Sequence, residues 1–483
     1  MRVVLFDPPP KLDWTPGCGL TKAGRRWPSY SVTGERTFNY FYLSAGAVLR
    51  QGGHEPVYLD CQVAGLGVEA AVDRLVALAP DLVVWYVDQI NIDVGAAILG
   101  RARERTRFLC AGCGPFVTPL DEEFLKAWPV TDLVIRGEFD LGVRDLADGL
   151  VVRADWREVP GASFLQGETV YRTGPVQHVA DVDALPIPAY DLINLHDYTE
   201  SVNTKLPVAT MTTSRGCPYR CVYCWWPQTL YSHKWRPMSP ERVLAEVKHL
   251  VREHGVREIE FDDDIFEFDR DRVVAICEGF RKEGIKVFWS PQCRPDKVDR
   301  DLLRLMRKVG CKRILYGCES GVQEVLDRMK KDFTVEDIAR ATRETKAAGI
   351  DVLNCFMLGF PWDTEETLER TVDFACRINA HFTQFGIPTP LPGTEFMRFV
   401  REEGYLLTDD WSRFSGFSQA VVSYPHLPRE RLEFWEKEAY RQYYLRARYM
   451  GMMAVRSLRS FDHLHQTVKL FRAFLKRRRA GWM

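Results

Sequence analysis

Two long series of short apolar runs, each run followed by a helical pattern, constrain the fold of this chain more than any other feature. In the first series, strand-like runs at about 2–6, 55–60, 81–87, 107–110 and 132–135 alternate with helical patterns near 38–51, 67–78, 93–104, 119–127 and 140–150. Such alternation predicts a doubly wound parallel sheet over about 1–150. The second series begins at Val208-Ala209-Thr210-Met211-Thr212-Thr213 and continues with runs near 257–261, 286–290, 312–317, 351–358 and 382–387. Between them lie strong helices such as Ser239–Glu253, with Ser239 as N-cap and Pro240 at the first position. Six βα units are too few for a closed eight-fold barrel and fit an open, partial one over about 205–403. The predicted fold class is therefore α/β throughout. Residues 151–204, with Leu185-Pro186-Ile187-Pro188, are predicted to be a linker with room for a small hairpin. Residues 404–483 are aromatic-rich and then helical and basic.

Composition narrows the function classes. With 65 basic and 66 acidic residues the net charge is −1, so no global asymmetry points to nucleic acid. No apolar run of about 18 residues appears, which argues against a membrane span. The start, Met-Arg-Val-Val-Leu-Phe-Asp-Pro-Pro-Pro, predicts a strand entering a turn and lacks a secretory core. A cytoplasmic location follows as the expectation. In a long chain without a leader, thirteen cysteines point to reduced or metal-bound thiols rather than disulfides.

Directly after the first strand of the second series comes Ser214-Arg215-Gly216-Cys217-Pro218-Tyr219-Arg220-Cys221-Val222-Tyr223-Cys224. A C-x₃-C-x₂-C loop offers three thiolates, whereas a [4Fe–4S] cube has four irons. One iron is left for a chelating substrate, and S-adenosylmethionine (SAM) offers an amino and a carboxylate group for it. A loop after a parallel strand suits chemistry at the C-terminal face of a barrel. Zinc would want a fourth protein ligand, usually in a second paired knuckle, and none follows. A redox C-x-x-C pair would leave Cys217 unexplained.

These residues closely resemble the radical SAM superfamily over roughly 205–400. The resemblance implies that Cys217, Cys221 and Cys224 hold the cluster and that Tyr223 packs beside the adenine. It implies that the acidic strand end Glu260-Phe261-Asp262-Asp263-Asp264 receives the SAM amino group, with Asp262 and Asp263 as contacts. Arg294 resembles the arginine that pairs with the SAM carboxylate, and a guanidinium fork suits that group. Glu319, where the fourth strand ends, resembles the acceptor for the ribose hydroxyls. Leu358-Gly359-Phe360-Pro361 and Pro390-Leu391-Pro392-Gly393-Thr394 resemble segments lining the adenine pocket, through Gly359 and Pro392. The alternatives are helix caps, a surface ion pair and simple turn formers.

A doubly wound sheet ahead of such a barrel resembles the cobalamin-binding domain of one radical SAM subfamily. Asp60, Gln62 and Gly65 stand in an Asp-x-Gln-x-x-Gly pattern where that family has Asp-x-His-x-x-Gly. Gly112 and Gly114 resemble its glycine loop, and Arg136-Gly137-Glu138 follows the fifth strand as in those relatives. Because Gln62 replaces the histidine, bound cobalamin would have no protein imidazole below cobalt. The other reading is a Rossmann-like domain that has lost its cofactor. Cys110 and Cys113 are expected to pack a loop.

Trp411, Phe414, Phe417, Tyr424, Trp435 and Tyr440 to Tyr444 predict either an aromatic layer over the barrel mouth or a plain packing surface. The last segment, with Val468, Phe471 and Leu475 before Lys476-Arg477-Arg478-Arg479, suits either peripheral contact with an anionic membrane or a solvated tail. Trp225-Trp226-Pro227 and His233-Lys234-Trp235-Arg236 resemble radical SAM proteins of hopanoid biosynthesis more loosely, and magnesium-protoporphyrin oxidative cyclases share the overall layout. The implied reaction is modification of an unactivated carbon on a small molecule or lipid by rearrangement, cyclisation or C-methylation. A reducing partner such as flavodoxin or ferredoxin is implied with it. The alternatives are an RNA-modifying enzyme, a radical SAM oxidoreductase without cobalamin, and a zinc-binding interaction module.

Overall fold

The computed structural model describes residues 1–13, 21–23, 29–31, 35–152, 155–199, 205–414, 419–458, 463–465, 467–468 and 472. Cys18, Phe417, Phe471 and the basic run after Leu475 lie outside the described residues. Seven strands form the first sheet: β1 (Arg2–Asp7), β2 (Glu55–Asp60), β3 (Leu82–Tyr86), β4 (Leu109–Cys113), β5 (Leu133–Ile135), β6 (Ala162–Gln166) and β7 (Thr169–Arg172). Their order is β2-β1-β3-β4-β5-β6-β7. The first five are parallel, and the last two join the β5 edge antiparallel. A parallel order of 2-1-3-4-5 reverses its winding between β1 and β3, and the crossovers there diverge to opposite faces and leave a crevice.

Part of the segment predicted as a linker thus completes this sheet, because the β6–β7 hairpin pairs with β5 from Leu133↔Phe164 to Ile135↔Ala162. The rest is docked rather than loose. Ala189 donates its backbone N–H to the Leu43 carbonyl at 2.9 Å, and the Asp183 carboxylate accepts from the Ser239 N–H at 2.9 Å.

The second sheet holds β8 (Val208–Met211), β9 (Glu258–Phe261), β10 (Phe288–Cys293), β11 (Arg313–Glu319), β12 (Asp351–Met357) and β13 (Phe382–Gly386). All neighbours are parallel and follow chain order. Right-handed crossovers between successive parallel strands put every helix on one face. The sheet curls as part of a βα-barrel, with loops gathered at the strands' C-terminal ends. Contacts fix which side chains face the helices. Asn354 donates to Thr342 and Tyr316 bonds Thr345 on the helix Val335–Ala347, so the alternate positions Leu315, Leu353 and Cys355 face the inside.

The long helix Arg429–Tyr444 closes the far edge. Tyr440 donates to the Phe385 carbonyl at 3.0 Å and Tyr444 to that of Thr383 at 2.6 Å. Buried apolar side chains form one continuous core through both sheets, from Val4 and Trp85 to Trp289 and Tyr443. No described helix is long and apolar enough to cross a membrane.

Candidate active site

β8 runs out at Met211, and the four residues that follow are buried despite being polar. Asp263 explains this. Its carboxylate accepts from the Thr213 N–H at 3.0 Å, the Thr213 hydroxyl at 2.9 Å and the Ser214 hydroxyl at 2.6 Å. Burial lifts its pKa above the usual carboxylate value. The structure therefore places Asp263 as a brace under the loop. Asp262 accepts from the Gln292 amide and ties its own N–H to the Met211 carbonyl. Asp264, singled out only as part of the acidic run, accepts from the Gly216 N–H at 3.0 Å. Gly216 has φ +85°, and a Cβ there would sit 2.0 Å from the Lys234 carbonyl oxygen, so no other residue fits.

The three cysteines follow at once. Cys221 is buried, and Cys217 and Cys224 are partly so. The Gln228 side chain donates to the carbonyls of Cys221, Val222 and Cys224 at 3.2, 3.2 and 2.8 Å, which folds the loop against the short helix Trp225–Thr229. Burial pushes the Cys217 thiol up to about 12, with Asp264 adding to it; Cys224 is pushed up by burial and by Cys221. The thiols lie within one another's fields. Among the described residues, however, no three Cys, His, Asp or Glu side chains stand at metal-holding spacing. The donor set itself, three thiols and no second knuckle, fits an iron–sulfur cluster with one open iron.

Opposite the loop, β11 ends on Glu319 at φ +63°, a left-handed backbone unusual for a residue with a side chain. Its carboxylate accepts from the Tyr223 hydroxyl at 2.8 Å and from Lys331 Nζ at 3.2 Å, and Lys331 Nζ lies 3.0 Å from the Tyr223 oxygen. Burial opposes the charge on Lys331, but Glu319 and Cys221 outweigh it and raise its pKa. Burial and Glu319 likewise hold the Tyr223 phenol protonated.

Lys331 was not among the residues the sequence suggested. It belongs to Met329-Lys330-Lys331-Asp332-Phe333, which lies against the cysteine loop: Val222 N–H donates to the Met329 carbonyl at 3.2 Å. The same segment meets Arg294, whose guanidinium lies 3.5 Å over the Tyr219 ring. Arg294 donates from Nη2 to the Lys331 carbonyl at 2.7 Å and from Nε to Asp296 at 3.0 Å. Behind it, the Glu267 carboxyl accepts from the Arg294 N–H at 2.6 Å, and burial pushes that carboxyl up to about 7.

The last two strand ends converge on the same place. Gly359 (φ +107°) donates to the Asp363 carboxylate at 3.1 Å, and Tyr424 donates to the Gly359 carbonyl at 3.1 Å. The next ring, Phe360, lies 5.6 Å from Tyr223. The Pro392 carbonyl accepts from Trp225 Nε1 at 3.0 Å. Arg294, Glu319, Phe360 and Pro392 thus all border the cysteine loop or the helix that follows it, and Gly359 precedes Phe360.

A family model described as Radical SAM superfamily matches residues 211–375. An uncharacterized methyltransferase of Pyrococcus horikoshii is 31% identical over 333 residues, covering 69% of this chain and 72% of that one. The chain belongs to the radical SAM superfamily. Membership brings a [4Fe–4S] cluster and SAM as cofactors. The hopanoid C-3 methylase of Methylococcus capsulatus is 27% identical, over 84% of this chain and 76% of that one. Among solved structures, the aqua-cobalamin-bound form of the cobalamin-dependent radical enzyme OxsB superposes with a TM-score of 0.70 at 19% identity, over 91% of this chain and 70% of that one. That likeness shows the shared α/β architecture of both sheets.

The candidate residues of the first sheet stand at the ends of β2, β4 and β5. Asp60, Gln62 and Gly65 form a closed turn after β2: Asp60 accepts from the Val63 N–H at 2.9 Å and from the Tyr198 hydroxyl at 3.1 Å, and Gly65 is left-handed at φ +66°. A Cβ on Gly112 would meet Phe124 at 3.1 Å, and one on Gly114 would meet Tyr86 at 3.1 Å. Aromatic rings thus stand close over both glycines. Cys110 and Cys113 are buried within β4. The crevice at the β1/β3 reversal is bordered by buried Asp7, Asp88 and Gln89, and Gln89 donates to the Phe414 carbonyl at 3.1 Å. Buried amide and carboxylate groups of this kind suit the amide arms of a corrin.

Proposed function

We propose that this chain is a cobalamin-binding radical SAM enzyme that modifies an unactivated carbon of a lipid or other secondary metabolite. The observation that carries the reading is the three-cysteine loop at the end of β8, set directly against the buried Tyr223–Glu319–Lys331 group. In this reading Cys217, Cys221 and Cys224 hold the cluster, with one iron left for SAM. When bound, the cluster supplies the electron that cleaves SAM to methionine and a 5′-deoxyadenosyl radical, and cobalamin supplies a carrier for a methyl group. Lys331 and Arg294 provide positive charge for the SAM carboxylate. Glu319, held by Tyr223 and Lys331, is an acceptor for ribose hydroxyls. Phe360 and the Gly359 and Pro392 backbones enclose the adenine, and the apolar core around them keeps out water.

Cobalamin would occupy the crevice at the β1/β3 reversal, with Gln62 offering no imidazole to cobalt. The hopanoid methylase relative supports a lipid substrate. A one-electron donor such as flavodoxin or ferredoxin completes the system. A first-sheet domain that includes the β6–β7 hairpin, a barrel over 205–403 and a C-terminal region over 404–483 belong to this reading, as does a peripheral contact with an anionic membrane. Exposed Met450, Val455 and Leu458 at the last long helix support that contact.

Anaerobic reconstitution with iron, sulfide, hydroxocobalamin and SAM under dithionite tests the reading. Methionine and 5′-deoxyadenosine are expected. S-adenosylhomocysteine in equal amount marks methylation, and its absence marks rearrangement or cyclisation. Cluster loading without any 5′-deoxyadenosine would overturn the proposal.

A further inference from the structure

Arg136-Gly137-Glu138, which follows β5 as in the relatives it resembles, directs its glutamate toward the second sheet. Arg215, two residues before Cys217, reaches into the first sheet. Its Nη1 donates to Glu138 and to Asp140, both at 2.8 Å, and its Nη2 donates to Asp140 at 3.0 Å and to the Ser44 hydroxyl at 3.3 Å. All three charged side chains are at most 2% exposed. Arg236, paired with Arg215 in the short ribbon Ser214–Arg215 and Arg236–Pro237, binds the other Glu138 oxygen at 2.5 Å. Two cations and two carboxylates therefore balance at the junction of the two sheets.

Both ends of this link are fixed. On the loop side, Gly216 is locked against the Lys234 carbonyl, so the chain between Arg215 and Cys217 has no slack. On the sheet side, Glu138 follows Gly137 at φ +82°, where a Cβ would sit 2.5 Å from the Gln177 carbonyl. Asp140 opens the helix Asp140–Val151, which packs along Tyr40–Gln51, the helix carrying Ser44. A bidentate guanidinium fork fixes orientation as well as distance. A buried ion cluster is a weak device for stability alone, since apolar side chains of like size commonly serve as well.

We infer that Arg215 is a positioning residue through which Glu138 and Asp140 of the first sheet set the place of the cysteine loop. The two cofactor-bearing halves are thereby registered to each other at a single buried junction. The inference rests on the proposed role of the loop, but its first readout needs no cofactor.

The test compares the apo chain with the quadruple apolar variant Arg215→Met, Arg236→Met, Glu138→Met, Asp140→Leu, which leaves no member of the cluster unpaired. Thermal unfolding is expected to stay within a few degrees. Amide hydrogen exchange over 213–224 is expected to rise at least tenfold while exchange in β3 and β12 is unchanged. In the cluster-loaded protein, the SAM-induced change in the electron paramagnetic resonance spectrum of the reduced cluster should shrink, whereas the single substitution Arg215→Lys, which keeps both carboxylates, should retain it in part. Unchanged exchange with an unchanged SAM response would overturn the inference and leave a purely stabilising ion cluster. If the quadruple variant does not fold, isosteric Asp140→Asn decides by the same two readouts. A rise confined to 213–224 supports positioning, and no change refutes it. Loss of 5′-deoxyadenosine formation with normal loop exchange would instead count against the proposed function.

Discussion

In the first sheet the parallel strands run in the order β2-β1-β3-β4-β5, whereas β8 to β13 follow the chain without reversal. The reversal opens a crevice beside β1, bordered by buried Asp7, Asp88 and Gln89, and on the neighbouring β4 Gly114 packs under Tyr86 and Gly112 under Phe124. The unreversed sheet has no such crevice. Its strand ends carry buried charges that bind one another or the cysteine loop: Asp263 under Thr213, Glu319 with Lys331, Arg294 with Asp296. Topology thus decides where an opening forms, and the residues at the strand ends decide whether it is lined for packing or for chemistry. The radical SAM machinery is concentrated on the second sheet.

The sharpest way to break this contrast is to remove thiols from each sheet. Cys217→Ala, Cys221→Ala and Cys224→Ala are expected to reduce reconstituted iron and 5′-deoxyadenosine to background. Cys110→Ser and Cys113→Ser in β4 should leave iron content unchanged by colorimetric iron and sulfide assay. Lost iron in the β4 variants would break the division.

Next in size is Lys331→Met. A charge-assisted hydrogen bond to a carboxylate contributes about 1.5–3 kcal/mol, so SAM binding measured by equilibrium dialysis should weaken roughly 10–100-fold with the cluster retained. Equal SAM affinity in the variant would remove Lys331 from the site.

On the first sheet, Gly114→Ala should act on the fold rather than on the chemistry. At φ +110° and 3.1 Å from the Tyr86 ring, a methyl group is expected to cost about 1–3 kcal/mol in denaturant unfolding. Iron content should not change.

The smallest effect concerns Glu267. Burial raises its carboxyl to about 7 in the folded chain, so the folded state keeps a proton that the unfolded state has lost above its ordinary value of 4.5. That contribution to stability is present at low pH and lost as pH rises from about 4.5 through about 7. Glu267→Gln should flatten the slope, leaving the variant roughly 1–2 kcal/mol more stable relative to the parent at pH 8 than at pH 5. A parallel pH profile in urea titrations would rule this out.

Local pattern made much of this protein legible. Apolar runs marked the strands of both sheets, since a strand covered on both faces needs a short unbroken apolar stretch. The cysteine loop was legible from spacing alone because its three thiols lie within eight residues, Cys217 to Cys224. Glu319 was legible as an acid where a strand leaves the core. The hairpin β6–β7 was anticipated only as a feature of a linker, because nothing local tells an edge strand from a free ribbon. Asp263 was recognised as polar and near the site, but its role as a brace depends on Thr213 and Ser214, some fifty residues away in the chain. Lys331 escaped notice because lysine ordinarily lies at the surface.

By itself the sequence determined the α/β class, the two series of parallel strands and the placement of three thiols on one loop, all of which follow from residues close together in the chain. Only the tertiary structure decided that Lys331 closes a buried group with Tyr223 and Glu319, that Gly112 and Gly114 lie under Phe124 and Tyr86, and that Arg215 answers to Glu138 and Asp140. Burial changes what a charged side chain needs. Once water is excluded it must find an opposite charge, and that partner is set by which strands the fold brings together, not by what stands beside it in the chain.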